Sequence, residues 1–270
     1  MKYIFIRNDD VRNTLDDSLI SITDLCIEKN IPICHTVEPA NVSEEVVKWL
    51  NANIVESPNL IEIVQHGYSH KLNYKKFIGG KLKKGEFGGS RSYEKQLLEI
   101  HKGKEIMDSF FGDKWFSLFT FPYGARNIES LRAIKKAGFL AVNGSMGISV
   151  QHKFLYFIGR LLNAEMLFGR KISYNLKYKK GSGLFQIDTS FSIIKQYLND
   201  DDEAIFYDIE ELKDKTMKYL KSTNNIGIVL HHRYHNSDEK IQLVNVYFDW
   251  LKKLPNVEFV TQKFLYSKFK

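Results

Sequence analysis

The sequence predicts a parallel α/β architecture in one domain, residues 1–270, and three observations carry that prediction. Short apolar runs of strand length alternate with longer runs of helical period, the pattern of parallel α/β proteins. The strand-like runs are near-continuously apolar, so the sheet is covered on both faces. Polar clusters recur at the carboxyl ends of four of those runs, where closed α/β barrels carry their active sites.

Taken in order, Tyr3-Ile4-Phe5-Ile6 is a buried strand that ends at Arg7-Asn8-Asp9-Asp10. Asn13 or Thr14 is expected to cap a helix in which Leu15, Leu19, Ile22 and Leu25 recur at helical spacing and which stops before Pro32. Ile33 to Val37 reads as a second strand, and Ser43-Glu44-Glu45 opens a helix carrying Val46, Val47 and Leu50. Ile61-Glu62-Ile63-Val64 is the third strand and runs into Gln65-His66-Gly67-Tyr68-Ser69-His70. A lysine- and glycine-rich insertion follows over about residues 71–91, expected to cover a site rather than fold alone.

From Ser92 a long helix carries Leu97, Ile100, Met107 and Phe111 and ends at Gly112. Phe116 to Phe121 is the fourth strand and meets Pro122-Tyr123-Gly124; Asn127 caps the next helix, which ends at Gly138 before a fifth strand at Phe139 to Val142. Residues 144–183, with Arg160 and several aromatics, show no clear period and are assigned no element. Leu184 to Asp188 reads as a strand, and Asp208 with Glu211 resembles a capping box opening the helix of Leu212, Met217 and Leu220. Ile226 to Leu230 is a strong buried strand ending at His231-His232, followed by a helix through Leu243 and Leu251 and a last strand at Val257 to Val260.

The composition, 43% apolar and 26% charged, is that of an ordinary globular protein. The net charge of +7 reads as a lysine-rich solvated surface rather than a nucleic-acid footprint; an anionic glycan or a nucleotide-linked sugar fits it equally. The first apolar run is shorter than the ~7–15 residues of a signal-peptide core, and no run reaches the ~18 residues of a membrane span. Two cysteines, Cys26 and Cys34, make no disulfide framework, so the expected location is cytoplasmic.

The chemistry lies in the clusters. His66 and His70 are four residues apart, a spacing that on a helical turn brings both rings to one face, where they can share a cation. With Asp9-Asp10 and His231 or His232 at the same barrel mouth, one oxygen ligand and two imidazoles leave positions open on a divalent cation, as catalytic sites require. Neighbouring carboxylates at a strand end point different ways, so one can bind metal while the other acts as base. That constellation suits metal-assisted hydrolysis of an amide or ester. Glu86 and Arg91 read as a surface-loop ion pair or as substrate contacts, and His35, His101, His152 and His235 as structural or solvated.

Arg7-Asn8-Asp9-Asp10, His66-Gly67-Tyr68-Ser69-His70, Phe121-Pro122-Tyr123-Gly124 and Val229-Leu230-His231-His232 occur in the order of the motifs of the polysaccharide deacetylase family, also called the NodB-homology domain or carbohydrate esterase family four. The resemblance spans roughly residues 3–235. It implies a distorted (β/α)7 barrel, TIM-barrel-like, that removes N-acetyl groups from an amino sugar or polysaccharide with a divalent metal, zinc first, cobalt or nickel otherwise. It makes Asp9 the general base, Asp10, His66 and His70 the metal ligands, the backbone N–H of Tyr123 the oxyanion donor, and His231 or His232 the general acid. The implied partner is an N-acetylated carbohydrate, with no nucleic acid and no membrane span.

Three positions depart from the family pattern. Arg7-Asn8 stand where Thr-Phe is usual, Thr120 where an arginine is frequent, and Asn143-Gly144-Ser145 where that arginine's acidic partner is expected. An arginine and its acid are lost together, which marks a divergent branch and leaves Asp9 without its usual tuning partner. Two rival readings share the motifs: a metal hydrolase of non-sugar amides or O-acetyl esters, and a catalytically idle sugar-binding module.

Overall fold

The computed structural model describes residues 1–78, 81–162, 184–198 and 203–270. β1 (Lys2–Val11) is the hub: it pairs in parallel with β2 (Ile33–Val37) on one side and β12 (Asn225–Leu230) on the other, and β13 (Val257–Phe259) lies beside its first residues. β3 (Ile61–His66), β6 (Leu118–Thr120), β7 (Ala141–Val142) and β8 (Phe185–Gln186) continue from β2, and β9 (Phe191–Ser192) continues from β12, giving the order β8-β7-β6-β3-β2-β1-β12-β9, while β10 (Ile194–Tyr197) and β11 (Ala204–Phe206) form a separate antiparallel pair. Every neighbouring pair in it is parallel. Among the described residues no ladder joins β8 to β9, so the curled sheet is a distorted (β/α)7 barrel, open between those strands.

The helices are α1 (Asp17–Glu28), α2 (Glu44–Glu56), α3 (Tyr93–Phe111), α4 (Ile128–Lys136), α5 (Val150–Leu161), α6 (Ile209–Ser222), α7 (Asp238–Lys252) and α8 (Gln262–Phe269). Ser43, Ser92, Asn127 and Asp208 cap α2, α3, α4 and α6 as their sequence positions predict, each cap contributing about 1 kcal/mol. At α1 the prediction is corrected. Asp16, not Asn13 or Thr14, is the cap, because its carboxylate accepts the Leu19 N–H at 2.7 Å. Of the stretch without clear period, α5 is described and residues 163–183 lie outside the described residues.

The strands have two buried faces that alternate residue by residue. Tyr3, Phe5, Cys34, Val64, Leu118, Ala141 and Phe185 point into the barrel and form one cluster. Ile4, Ile6, Ile33, Ile63, Ile226, Ile228 and Leu230 point outward against the helices and form the other. Each fully buried aliphatic side chain contributes roughly 1.5–3 kcal/mol. Gly227 falls on the inner face, where a Cβ would collide with the Phe5 ring.

Two features were not legible. α8 packs Leu265 into the inner cluster, and its first N–H groups, those of Gln262 and Lys263, donate to the buried Glu62 carboxylate at 2.9 and 2.6 Å, an anion at a helix N-terminus. The insertion is an antiparallel hairpin, β4 (Tyr74–Ile78) and β5 (Lys81–Gly85), which sets Lys84 Nζ 5.4 Å from the centre of the Tyr123 ring. Its trailing end is drawn inside: Glu86 and Phe87 are fully buried, Phe87 against Phe119 and Phe121.

Candidate active site

The inward series of each strand, extended past the apolar core, ends in the site. Phe5 leads to Arg7 and Asp9, Cys34 to Thr36, Val64 to His66, Leu118 to Thr120, Ala141 to Asn143 and Val229 to His231. The period of two that buries the core thus gathers these side chains at one barrel end. Asp10 joins them by breaking that period. Its φ is +65° and the β1–β2 register shifts between Asn8 and Val11, so two successive carboxylates face the same mouth, a use typical of bulges near active sites.

Asp10 Oδ1 lies 3.1 Å from His66 Nε2 and 3.3 Å from His70 Nε2, and the ligand atoms of the three residues all lie within 4.8 Å of one another. The Thr120 hydroxyl donates to the Gln65 carbonyl at 3.0 Å, so at its 2.6 Å contact with His66 Nδ1 it accepts the ring proton. With Nδ1 engaged there, Nε2 is the ring nitrogen of His66 that faces Asp10. Two imidazoles and a carboxylate converging this way suit zinc, cobalt or nickel, so the residues fit a divalent cation. Burial raises Asp10, but its bonds to His66 and His70 hold it well below the ordinary carboxylate range.

The histidine pair does not sit on a helical turn. His66 ends β3, Gly67 and His70 have φ of +59° and +55°, and the loop between them folds back. What holds it is Glu86, whose carboxylate accepts the backbone N–H of Ser69 at 2.7 Å and that of Tyr68 at 3.3 Å, and the Ser69 hydroxyl at 3.2 Å. Glu86 is thus neither a surface ion pair nor a substrate contact. Arg91 pairs with Glu99 at 2.6 Å and donates to the Glu86 carbonyl.

Asp9 is buried, with Oδ2 2.6 Å from Arg7 Nη2 and Oδ1 accepting from Thr36 Oγ1 at 3.2 Å. Burial raises it, but Arg7, His66 and His231 outweigh that and lower it. Arg7 in turn donates to Asn143 Oδ1 at 3.2 Å. The missing tuning partner is therefore supplied from β1 itself, two residues before Asp9. In sequence Arg7 is a departure from the family pattern, and its i, i+2 spacing from Asp9 on one strand face is the signal of this pairing.

His231 Nε2 stands 3.8 Å from Asp9 Oδ2, and Nδ1 lies 3.1 Å from the Tyr197 hydroxyl. Burial lowers His231, with Asp10 and Asp9 pulling the other way. His232 points to the outer face. Its N–H and Nδ1 meet Asn8 Oδ1 at 2.9 and 3.3 Å, and it lines a polar cleft of about 750 Å³ with Arg12, Asn13, Asp16 and Asn41. Tyr123, at φ +57°, donates its hydroxyl to the His70 carbonyl at 3.0 Å and packs its ring 4.6 Å from the His70 ring.

The sequence profile of the family described as Polysaccharide deacetylase matches residues 27–142, which include His66, His70 and Tyr123 but stop short of Asp9, Asp10 and His231. No curated protein sequence matches the chain. Among solved structures, a protein from Mycobacterium smegmatis assigned to the polysaccharide deacetylases is similar with a TM-score of 0.67 at 10% identity, over 99% of this chain and 90% of that one. A family 4 acetyl xylan esterase from Clostridium thermocellum in complex with a cobalt ion has a TM-score of 0.58 at 11% identity, over 99% and 91%. A peptidoglycan N-acetylglucosamine deacetylase in complex with a benzamide compound has a TM-score of 0.53 at 12% identity, over 98% and 88%. The profile match covers fewer than half of the residues; with the barrel and the motif residues gathered at one mouth, it makes the chain similar to the polysaccharide deacetylase family.

Proposed function

We propose that the protein is a metal-dependent hydrolase that removes the N-acetyl group from an amino sugar, free or within a polysaccharide. The observation that carries this reading is the convergence of Asp10, His66 and His70 beside Asp9 at one barrel end. A divalent cation bound there supplies Lewis-acid polarisation of the acyl carbonyl and acidifies water.

The chain's own residues do the rest. Asp9, held ionised by Arg7 and oriented by Thr36, takes the proton of the attacking water. The Tyr123 backbone N–H donates to the oxyanion. His231, on the inner face and 3.8 Å from Asp9, carries a proton to the leaving amine at Nε2. His232 is left to the outer cleft, so of the two histidines His231 is the acid in this reading.

The test strips metal with a chelator, reloads zinc, cobalt or nickel, and measures acetate from N-acetylglucosamine oligomers and peptidoglycan fragments. Release by the loaded wild type, falling more than about a hundredfold in Asp10→Ala and His66→Ala, is expected. Undiminished release in those variants overturns the metal role. Acetate from O-acetylated xylan alone, with none from any amino sugar, replaces the substrate class with an ester.

A further inference from the structure

Several large apolar side chains among the described residues reach solvent singly, as Val55, Leu98 and Val246 do, which is ordinary. α5 differs. Val150, Phe154, Phe157 and Leu161 follow the i, i+4, i+7, i+11 spacing of one helix face, and they are 84%, 62%, 62% and 70% exposed. Leu162, just past the helix, is 64% exposed. Leaving such a stripe in water forgoes roughly 1.5 kcal/mol or more for each side chain, so it marks a docking surface.

The charge identifies what docks. Residues 150–183 hold seven lysines and arginines, two of them Lys153 and Arg160 in α5, against the single acid Glu165. The other 236 residues hold 32 basic and 31 acidic side chains, which nearly cancel. Six of the chain's excess of +7 therefore fall within these 34 residues of sequence, and α5 itself holds Lys153 and Arg160 with no acid. A basic stretch alone suits nucleic acid or anionic lipid equally; an aliphatic and aromatic stripe within it suits only the lipid, whose acyl boundary accepts Phe and Leu while its headgroups meet Lys and Arg.

We propose that α5 is an interfacial anchor that seats this protein on an anionic membrane surface. The helix lies in the plane of the interface, since among the described residues no helix is long and apolar enough to cross a bilayer. α5 follows β7 from the end of the sheet that carries Asp10, His66 and His70, so the anchor and the candidate site leave the barrel from one side. The proposal does not depend on the reaction assigned to that site.

The experiment floats the full chain with vesicles of phosphatidylglycerol and phosphatidylcholine in equal parts, and with vesicles of phosphatidylcholine alone. Co-flotation at least about tenfold stronger with the anionic vesicles is expected, lost about tenfold in Phe154→Ser/Phe157→Ser with the melting temperature unchanged. A Lys153→Gln/Arg160→Gln variant weakens binding to the anionic vesicles and leaves any weak binding to the neutral ones unaltered. No flotation of wild type overturns the proposal, as does flotation that the phenylalanine variant keeps in full. Sedimentation showing a dimer that the phenylalanine variant abolishes, without vesicle binding, assigns the stripe to a second copy and overturns it too. Salt-dependent binding of a DNA or RNA duplex that ignores the phenylalanines does the same.

Discussion

The two faces of the same strands carry two buried polar groups that look alike in composition and differ in what their lone pairs do. On the outer face, Thr23 donates to the Leu19 carbonyl, so it accepts from His35 Nε2; His35 Nδ1 then accepts from Asn8 Nδ2, and Asn8 Oδ1 accepts from His232. Each of these contacts pairs a donor with an acceptor, and burial holds His35 neutral with its pKa pushed down to about 3. On the inner face, ring nitrogens of His66 and His70 both confront one anionic oxygen of Asp10. That arrangement needs a positive charge between its members, a proton on an imidazole or a shared cation. Histidine count and burial therefore say little about function, whereas a set of acceptors aimed at one point says a great deal.

The largest expected break in the comparison is between adjacent residues. His231→Gln, on the inner face, lowers kcat by roughly 10²–10⁴-fold with the fold intact, the loss expected of a general acid. His232→Gln, on the outer face, leaves kcat and KM within a few-fold and lowers stability by about 1 kcal/mol as the Asn8 contact is disturbed. Steady-state kinetics on an N-acetylated amino-sugar substrate, with urea unfolding of both variants, separates the two. A collapse of kcat in His232→Gln alone would reverse the assignment.

Much of this was legible beforehand and the remainder was not, for a physical reason. The strands, the caps at Ser43, Ser92, Asn127 and Asp208, and the residues Asp9, Asp10, His66, His70, Tyr123 and His231 follow from local period and motif order. What local reasoning missed depends on contacts distant in sequence. Glu86 reaches back to Tyr68 and Ser69, and Glu62 reaches forward to Gln262; neither contact leaves a periodic trace. Arg7 is the intermediate case, since its partner is two residues away, yet its use depends on Asn143 at the end of another strand. The bulge at Asp10 was invisible because no glycine announces it.

Arg7 gives the next effect in size. Its removal in Arg7→Met strands a buried carboxylate, which costs about 3 kcal/mol when one partner of a buried pair is lost. In the double variant Arg7→Met/Asp9→Asn most of that loss returns, because no charge is left uncompensated. A double-mutant cycle in urea reads the coupling directly. Independent, additive losses would show that Arg7 does not hold Asp9.

Asp188 sharpens the contrast from the other direction, as a buried acid beside the site that is incompletely matched. Burial raises its pKa to about 6, against the pull of Arg126 and the Gln186 amide, which donates at 3.0 Å. A carboxyl whose folded pKa is raised stabilises fully below its unfolded value near 3.8 and loses that contribution as pH climbs through about 6. Asp188→Asn should therefore match or trail the wild type at pH 4 and gain on it by about 2 kcal/mol by pH 7. Thermal melts across that range decide it, and a constant difference between the two proteins would exclude the effect.

The smallest expected effect concerns how the inner face is kept open. Glu86 spends its carboxylate on the Tyr68 and Ser69 N–H groups and the Ser69 hydroxyl, so it fixes the turn that carries His70 without touching the three ligand atoms. In Glu86→Gln the amide oxygen still accepts one N–H while the amide nitrogen opposes another, which loosens the loop without removing a ligand. Metal affinity is then expected to fall about tenfold, as for other groups that orient ligands, and the visible spectrum of the cobalt-loaded protein to shift as His70 changes angle. Glu86→Asp, one methylene shorter but still a carboxylate, recovers part of both. Calorimetric titration with cobalt and the spectrum of each variant measure this apart from turnover. If Glu86→Gln binds cobalt as wild type does, with the same spectrum, the hairpin merely packs against the histidine loop, and His70 is held by its own backbone and by Tyr123.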